Sequence, residues 1–284
     1  MEPAPLPPAL ATRPAARTRG LAIPPRGAPP LLLDAAMGTA LIARGLDLAH
    51  EPAVAWTVRR PEEIRAVHGA HVRAGAKLVL TGTFGARAPT RDELLAALRL
   101  AAASGAQSVA LSLWAGLGPG LISCAVQTAQ RAPRPPDAVW LETATSDEQA
   151  ERALAAALEA GRVQGALPPL PVIITLAGTA LREPGFPEAL GRLGRGGAAA
   201  AGLNCSPWPS HAGGLAALAA EAVAALGDCP LVLKPDAGMS SPWAWAEEVA
   251  RAVEAGARLV GGCCGTVPLH LEALAARLRA PDRR

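Results

Sequence analysis

The sequence predicts a single (β/α)8 barrel, and three observations support this fold class. Short apolar runs alternate along the chain with longer stretches rich in Ala and Leu, which is the pattern of parallel strands joined by right-handed helical crossovers. A length of 284 residues suits one barrel of about 250 residues with a tail. The residues that could take part in binding or catalysis all follow predicted strands. In a (β/α)8 barrel the active site forms at the carboxyl ends of the strands. A doubly wound open sheet is the alternative.

The predicted strands are apolar runs that each end at a polar or glycine-rich turn. They lie at Leu31–Leu33, Lys77–Leu80, Ser108–Leu113, Ala138–Leu141, Val172–Thr175, Ala199–Leu203, Leu231–Lys234 and Arg258–Val260. The stretches between them predict helices, among them Pro61–Ala74, Arg91–Ala103, Ser146–Ala160, Gly213–Leu226 and Pro242–Ala255. A last helix is predicted after the final strand, with Pro268 in its first turn.

Residues 1–30 differ in composition from the rest of the chain. They are rich in Pro, Ala and Arg and show no hydrophobic periodicity. We therefore predict a disordered tail over residues 1–30 and assign residues 31–284 to the barrel. A transit peptide, which an arginine-rich segment poor in acids also fits, is the less favoured alternative.

The composition argues against several classes of protein. Hydrophobic residues make up 50% of the chain and aromatic residues 3%, so a large core must be built from Ala, Leu and Val. A net charge of +3 without a basic stripe argues against nucleic acid as a partner. No apolar stretch reaches the roughly 18–20 residues that a membrane span needs. Five cysteines, without a signal-peptide pattern, indicate a reducing, cytoplasmic compartment rather than a disulfide framework.

The most specific motif is Gly261–Thr266, a Gly-Gly-Cys-Cys-Gly-Thr turn that follows the last predicted strand. The flanking glycines let the backbone bend sharply enough for two neighbouring thiolates to reach one metal ion. Cys205 follows the sixth strand, and the ends of strands six and eight lie near each other in a barrel. We predict that Cys205, Cys263 and Cys264 bind one Zn²⁺ and leave its fourth position open.

Other interpretations of this cluster stay open at the level of sequence. Paired cysteines also occur as small buried packing residues. A closed structural zinc site would need a fourth ligand, for which His211 and His270 are the candidates. Asp236 follows the seventh strand, and we hypothesise that its carboxylate occupies the open position when substrate is absent.

Several further residues with reactive or ionisable side chains lie outside this motif. Cys124 and Cys229 are interpreted as packing residues because no motif surrounds them. His68 and His71 lie on a predicted helix and are interpreted as core or surface residues. Lys234 ends a strand and either faces the site or is solvated.

Together these turns resemble those of the homocysteine S-methyltransferase family. The matching stretches run in the family's order through Leu33–Thr39, His68–Phe84, Glu142-Thr143, Gly202–Cys205, Pro235–Gly238 and Gly261–Thr266, with Pro268 and His270. The sequences of these stretches are more similar to the homocysteine-binding module of cobalamin-dependent methionine synthase than to the betaine enzyme. The chain departs from the family at Ala35 and Ala36, where two glycines are usual, and at Gly82 and Asp236, where Asn is usual.

The resemblance implies a zinc-dependent barrel enzyme that methylates the sulfur of homocysteine and so serves methionine biosynthesis. It implies the same three cysteines as Zn²⁺ ligands. It implies Asp34 and Glu142 as carboxylates that hold the substrate's amino group. It also implies that Thr83 and the Asp34–Thr39 turn belong to the region that receives the substrate's carboxylate. No protein side chain is expected to act as a catalytic group beyond the zinc-activated substrate thiolate.

The sequence does not identify the methyl donor. Because no cobalamin or folate domain follows in this chain, we expect a small-molecule donor or one carried by a separate cobalamin or folate protein. A second class of function stays open, a non-catalytic zinc barrel that serves as a binding module, for which Ala35, Ala36 and Gly82 argue. Asp34 and Glu142 favour the enzyme. A methyltransferase for another thiol or selenol acceptor is also open.

Overall fold

The computed structural model describes residues 21–25, 27–162, 169–178, 185–206 and 213–279. Its strands are β1 (Leu31–Leu32), β2 (Leu78–Leu80), β3 (Ser108–Trp114), β4 (Ala138–Ala144), β5 (Val172–Ala177), β6 (Ala200–Asn204), β7 (Leu231–Lys234) and β8 (Leu259–Val260). Its helices are α1 (Met37–Ile42), α2 (Trp56–Arg59), α3 (Pro61–Arg73), α4 (Arg91–Ala102), α5 (Pro119–Gln130), α6 (Asp147–Arg162), α7 (Phe186–Arg195), α8 (Gly214–Leu226), α9 (Pro242–Glu254) and α10 (Pro268–Arg279).

The strands close into a parallel barrel. They are hydrogen-bonded in the order β1-β8-β7-β6-β5-β4-β3-β2. An isolated parallel bridge between Leu33 and Leu78 joins the two ends of this order. The Lys77 N–H strengthens the closure by donating to the Leu32 carbonyl at 2.8 Å. This confirms the predicted (β/α)8 barrel and excludes the open sheet.

The helices begin where the sequence provides a start signal. The Thr90 hydroxyl accepts from the Glu93 N–H and the Glu93 carboxylate caps the Thr90 N–H, which is a capping box for α4. Helices α5 and α7 were not among those singled out from the sequence, although each has a proline in its first turn, where the missing N–H costs nothing. Within the described ranges, no helix has both the length and the apolar character required to cross a bilayer.

Three apolar clusters form among the described residues, and two of them involve the strands of the barrel. Alternate residues of the strands point inward and fill the lower part of the barrel. We call this set the lower layer: Leu33, Leu78, Leu80, Ala110, Ala138, Trp140, Ile173, Ala200, Val232 and Leu259. A larger cluster, rich in Ala and Leu, lies between the outer faces of the strands and the helices. The core therefore has the aliphatic composition that the low aromatic content predicts.

Part of the predicted tail belongs to the folded barrel. Leu21 and Ile23 pack against the lower layer, and Arg258 donates to the Pro25 carbonyl at 3.2 Å. These apolar side chains therefore lie against the amino-terminal end of the barrel, while the boundary at residue 30 stays a prediction. Residues 1–20 of the predicted tail lie outside the described residues.

Candidate metal and substrate site

A polar layer covers the lower layer at the carboxyl ends of the strands. It is reached by moving two residues along a strand from a lower-layer residue, which keeps the side chain on the inward face. Ser112, Glu142, Thr175 and Lys234 occupy these positions on β3, β4, β5 and β7, and all four are buried. The interior of the barrel thus changes from apolar to polar and charged within two residues along these strands.

Three cysteines converge above this polar layer. The Sγ of Cys205 lies 2.9 Å from that of Cys263 and 3.6 Å from that of Cys264. These three sulfurs and one carboxylate oxygen of Asp236 all lie within 4.8 Å of one another. The cluster could hold a metal ion, and it joins residues from the loops after β6, β7 and β8.

Backbone hydrogen bonds between loops hold the paired cysteines in place. The Cys263 N–H donates to the Pro235 carbonyl at 2.9 Å, and the Ala237 N–H donates to the Cys264 carbonyl at 2.9 Å. The loops after β7 and β8 are therefore fixed to each other on both sides of Asp236.

Thr266 fixes the same turn to the loop after β1. Its hydroxyl donates to the Cys263 carbonyl at 2.6 Å and accepts from the Ala36 N–H at 3.2 Å. A Cβ atom added to Gly262 would lie 2.4 Å from the Thr266 Oγ1. The Gly-Gly-Cys-Cys-Gly-Thr sequence is therefore required by close packing as well as by the turn.

A bulge in β4 sets the position of Glu142. The register of β4 against β5 shifts between Leu141 and Ala144, and Thr143 has a φ of 60°. The Asn204 Oδ1 accepts from the Thr143 N–H at 3.0 Å, while its Nδ2 donates to the Thr143 Oγ1 at 2.8 Å. Bulges re-aim side chains near functional sites, and here a neighbouring strand holds the bulge.

Asn204 also connects this bulge to the cysteines. Its Nδ2 lies 4.0 Å from the Cys263 Sγ, and the next residue, Cys205, has a φ of 49°. The Cys205 carbonyl accepts from the Gly178 N–H at 3.2 Å. A left-handed backbone at a residue other than glycine costs about 1–3 kcal/mol. The surrounding hydrogen bonds therefore hold Cys205 in the strained conformation that aims its sulfur at the cluster.

The donor set fits a thiophilic metal such as zinc. The Asp236 Oδ1 is buried and accepts no hydrogen bond from the residues that the structure describes, which leaves a free acceptor beside three sulfurs. In a tetrahedral zinc site with Zn–S bonds near 2.3 Å, sulfurs lie about 3.8 Å apart. The Cys205–Cys264 separation of 3.6 Å is close to this value, whereas the Cys205–Cys263 pair at 2.9 Å would have to separate.

The sulfurs share protons among themselves. Hydrogen bonds to Cys263 and Cys264, together with burial, raise the pKa of the Cys205 thiol. Hydrogen bonds from Cys205 and Cys263 lower the pKa of Cys264 to about 3. Burial raises the pKa of Asp236 to about 6. These shifts favour deprotonation of the Cys264 sulfur over that of Cys205.

Asp34 lies in a buried ion pair. Its Oδ1 is 2.6 Å from the Lys234 Nζ, and its Oδ2 accepts from the Leu80 N–H at 2.8 Å. The side chains of Asp34 and Lys234 are only 2% and 3% exposed. The Lys234 Nζ also lies 5.7 Å from the ring centroid of Trp140, in the lower layer. Lys234 therefore faces the site and is not solvated.

Glu142 and Thr83 occupy the same polar layer. The Glu142 carboxylate accepts from the Ser112 hydroxyl. Burial raises the pKa of Glu142 to about 7, against the opposing effect of the Lys234 charge. The Thr83 hydroxyl donates to the Ser112 carbonyl at 2.5 Å and lies 2.7 Å from the Thr81 Oγ1. The hydroxyl proton of Thr83 is therefore engaged by the protein itself.

Other candidate ligands lie away from the cluster. The His270 Nδ1 accepts from the Val267 N–H at 3.2 Å, and its ring packs edge-on against Trp245. His270 is not a member of the described Cys/Asp cluster. His211 lies outside the described residues.

The remaining cysteines and histidines also have defined environments. Cys229 is half-buried with its Sγ 3.6 Å from the Ala198 carbonyl, which agrees with a packing role. The packing role expected for Cys124 is wrong, because this residue is exposed on α5. His68 and His71 are buried on α3, and their ring nitrogens have no hydrogen-bond partner among the described residues. Burial lowers the pKa of each to about 4.

Lys234, Ser112 and Asn204 belong to the site although sequence reasoning did not assign them to it. The signal that could have identified them is alternation within each strand. Each lies an even number of residues beyond a lower-layer residue of its own strand, and is therefore on the inward face.

Comparisons with known proteins identify the family and support the fold. A homocysteine S-methyltransferase family profile matches residues 31–278. The apo form of the homocysteine methyltransferase MmuM from Escherichia coli is 25% identical and superposes with a TM-score of 0.68 over 88% of this chain and 97% of that one. Its metallated form is 24% identical, with the same TM-score and coverage. The multifunctional pyruvate carboxylase from Rhizobium etli shares the fold alone, with 15% identity and a TM-score of 0.55 over 87% of this chain and 28% of that one. No curated protein matches the chain.

Proposed function

Because this chain belongs to the homocysteine S-methyltransferase family, whose profile covers residues 31–278, we propose that it methylates the thiol of homocysteine and forms methionine. The observation that carries the proposal is the convergence of three cysteine sulfurs and an Asp236 oxygen within 4.8 Å at the carboxyl ends of the strands. The buried carboxylate of Glu142 lies close enough to interact electrostatically with Cys263. This pairing suits a substrate that carries both a thiol and an ammonium group.

Zn²⁺ is the metal that we propose for the cluster. Sulfur-rich sites with four ligands favour zinc, and three protein ligands are typical of catalytic zinc sites. When bound, zinc would supply the positive charge that lowers the pKa of a nearby acceptor thiol. Cys205, Cys263 and Cys264 would remain in place, and Asp236 would yield its position to the acceptor sulfur.

The chain's own residues position the acceptor for transfer. Glu142, oriented by Ser112, holds the acceptor's ammonium through charge-assisted hydrogen bonds. In the transfer, a bond forms between the acceptor sulfur and the methyl carbon. The bond from that carbon to the donor's leaving atom breaks, and its electron pair stays on that atom. The thiol proton passes to solvent. Correct alignment of the two reactants supplies much of the rate.

The methyl donor is either a small molecule or a group carried by a separate cobalamin or folate protein. A reaction that forms methionine places the enzyme in methionine biosynthesis. The five cysteines are all free thiols, which fits a reducing, cytoplasmic compartment.

A non-catalytic zinc barrel is the second candidate function. It is favoured by the pairing of Asp34 with Lys234, which removes one of the two carboxylates expected to hold the substrate's ammonium. This candidate predicts zinc binding without binding of homocysteine.

One experiment separates the two candidates. Zinc-loaded protein is titrated with homocysteine by calorimetry, then incubated with betaine, S-methylmethionine, S-adenosylmethionine or methylcobalamin while methionine is followed by mass spectrometry. The enzyme should bind homocysteine with release of about one proton at neutral pH and form methionine with one of these donors. Full zinc loading with neither heat, proton release nor methionine would contradict the proposal.

A further inference from the structure

We propose that Lys234 determines which class of thiol this protein accepts, because its buried ammonium binds the carboxylate of the acceptor and occupies the place at Asp34 that an acceptor ammonium would take. The inference rests on the proposed methyl transfer to a thiol. It adds that the acceptor is selected mainly by its carboxylate, and that Glu142 alone contacts an ammonium group.

Both carboxylate oxygens of Asp34 already have a partner within the protein. One oxygen lies 2.6 Å from the Lys234 Nζ and the other accepts from the Leu80 N–H at 2.8 Å. Both side chains of the ion pair are almost completely buried. Removing one charge of such a pair leaves the other unpaired in a medium of low dielectric constant, which is strongly unfavourable. An acceptor ammonium would therefore compete at Asp34 with an ammonium that the chain already provides.

The Lys234 ammonium has more hydrogen-bond donors than the described residues accept. An ammonium carries three N–H donors, and buried donors are normally satisfied. Within the described residues, the one hydrogen-bond acceptor of the Lys234 Nζ is the Asp34 Oδ1. Its other close contact is the ring of Trp140, whose centroid is 5.7 Å away. A ligand carboxylate would use the donors that remain.

Lys234 lies on the same side of the barrel as the cysteine cluster. Lys234 on β7 pairs in register with Asn204 on β6, and the Asn204 Nδ2 lies 4.0 Å from the Cys263 Sγ. The lysine therefore lies near the cysteine cluster, and its charge also acts on Glu142. Glu142 and Lys234 thus present opposite charges side by side. An α-amino acid head group is complementary to this pair, with its ammonium at Glu142 and its carboxylate at Lys234. The Thr83 hydroxyl, the other candidate for the carboxylate, already donates to the Ser112 carbonyl.

The test compares three thiols that differ in one charged group. They are homocysteine, γ-mercaptobutyrate, which lacks the ammonium, and γ-mercaptopropylamine, which lacks the carboxylate. Binding to zinc-loaded protein is measured by calorimetry, with the zinc content of each variant determined in parallel. In the wild-type protein, loss of the carboxylate should weaken binding about 10- to 100-fold, and loss of the ammonium should weaken it several-fold less.

Three variants isolate the role of Lys234. Lys234→Met should weaken both carboxylate-bearing thiols about tenfold or more and should strengthen γ-mercaptopropylamine, because Asp34 becomes available to its ammonium. The double variant Asp34→Asn/Lys234→Met removes both charges, avoids an unpaired buried carboxylate, and should weaken only the carboxylate-bearing thiols. Glu142→Gln is the matched control, since it should weaken only the two thiols that carry an ammonium.

The outcomes separate this inference from the proposed function. Equal weakening of all three thiols by the lysine variants would show that Lys234 is only the structural partner of Asp34, and the inference would fail while the methyltransferase proposal stands. Absence of binding by all three thiols to zinc-loaded wild-type protein would overturn both.

Discussion

The lower layer and the polar layer occupy the same barrel and come from the same strands, yet they follow different physical rules. On β4, Trp140 is fully buried among aliphatic side chains, and Glu142, two residues further along, is a buried carboxylate whose pKa is raised to about 7. The lower layer gains stability from packing, whereas each charge in the polar layer costs free energy to bury. Stability and chemistry are therefore separated along the barrel axis, and variants in each layer should affect one without the other.

The largest effect is expected in the cysteine cluster. Cys263→Ser replaces a thiolate by a hydroxyl that stays protonated at neutral pH, so zinc affinity and methyl transfer should both fall about 1,000-fold or more while the protein stays folded. Zinc content by mass spectrometry, with circular dichroism for folding, provides the measurement. Cys124→Ser, at an exposed position on α5, is the matched control. If the Cys263→Ser protein retains its full zinc content, Cys263 is not a zinc ligand.

In the lower layer we expect a substitution to lower stability and to leave ligand binding unchanged. Ile173 is fully buried there, and Ile173→Ala should lower the free energy of unfolding by about 3–4 kcal/mol through the lost packing and the cavity. Homocysteine affinity should stay unchanged at saturating zinc. Ile173→Val, which removes a single methylene, should cost about 1 kcal/mol. Chemical denaturation measures both, and a loss of thiol binding in Ile173→Ala would show that the two layers are coupled.

A third test uses pH and concerns the two histidines on α3, outside the strands. Burial lowers the pKa of His68 and of His71 from 6.5 to about 4, so both are neutral in the folded protein. Between these values the unfolded chain binds more protons, and stability falls as the pH falls. Each histidine should contribute a loss of about 2 kcal/mol at about pH 5.

The histidine effect is isolated by a variant. Glu142, whose pKa is raised, has the opposite slope in part of this range, since the folded state then binds more protons. The quantity to compare is therefore the difference between the wild-type protein and His68→Leu, measured by denaturation from about pH 7.5 to about pH 5. His68→Leu should flatten the loss by about 2 kcal/mol, and parallel pH profiles would contradict the origin assigned to it.

The smallest effect is expected at Asn204, which connects the bulge in β4 to the cysteine cluster. Asn204→Ala removes both hydrogen bonds to Thr143 and the contact with Cys263. Groups that orient metal ligands typically contribute about tenfold in affinity, and a tenfold fall in zinc affinity is expected here. Thr143→Ser keeps the hydroxyl and should leave the affinity unchanged. Competition with a chromogenic chelator measures both, and equal affinities for Asn204→Ala and wild type would show that the bulge and the cluster are independent.

Local sequence was sufficient for some of these features and not for others. The bounds of β7 match the prediction, and the Gly261–Thr266 turn identified two members of the cluster, because apolar runs and glycine-rich turns are local properties. The partner of Asp34 could not be read in this way, since Lys234 is 200 residues away and only barrel closure brings the two together. The packing of Leu21 against the lower layer could not be predicted either. It depends on the assembled end of the barrel, and nothing in a proline-rich segment indicates that contact.

We propose that three cysteines hold zinc and that Asp236 occupies the fourth position until the acceptor thiol binds. X-ray absorption at the zinc edge, recorded on zinc-loaded protein with and without homocysteine, tests this claim most directly. We expect three sulfur neighbours and one oxygen neighbour in the free protein, and four sulfur neighbours after homocysteine is added. A nitrogen or a fourth sulfur in the free protein, or a spectrum that homocysteine does not change, would contradict the claim.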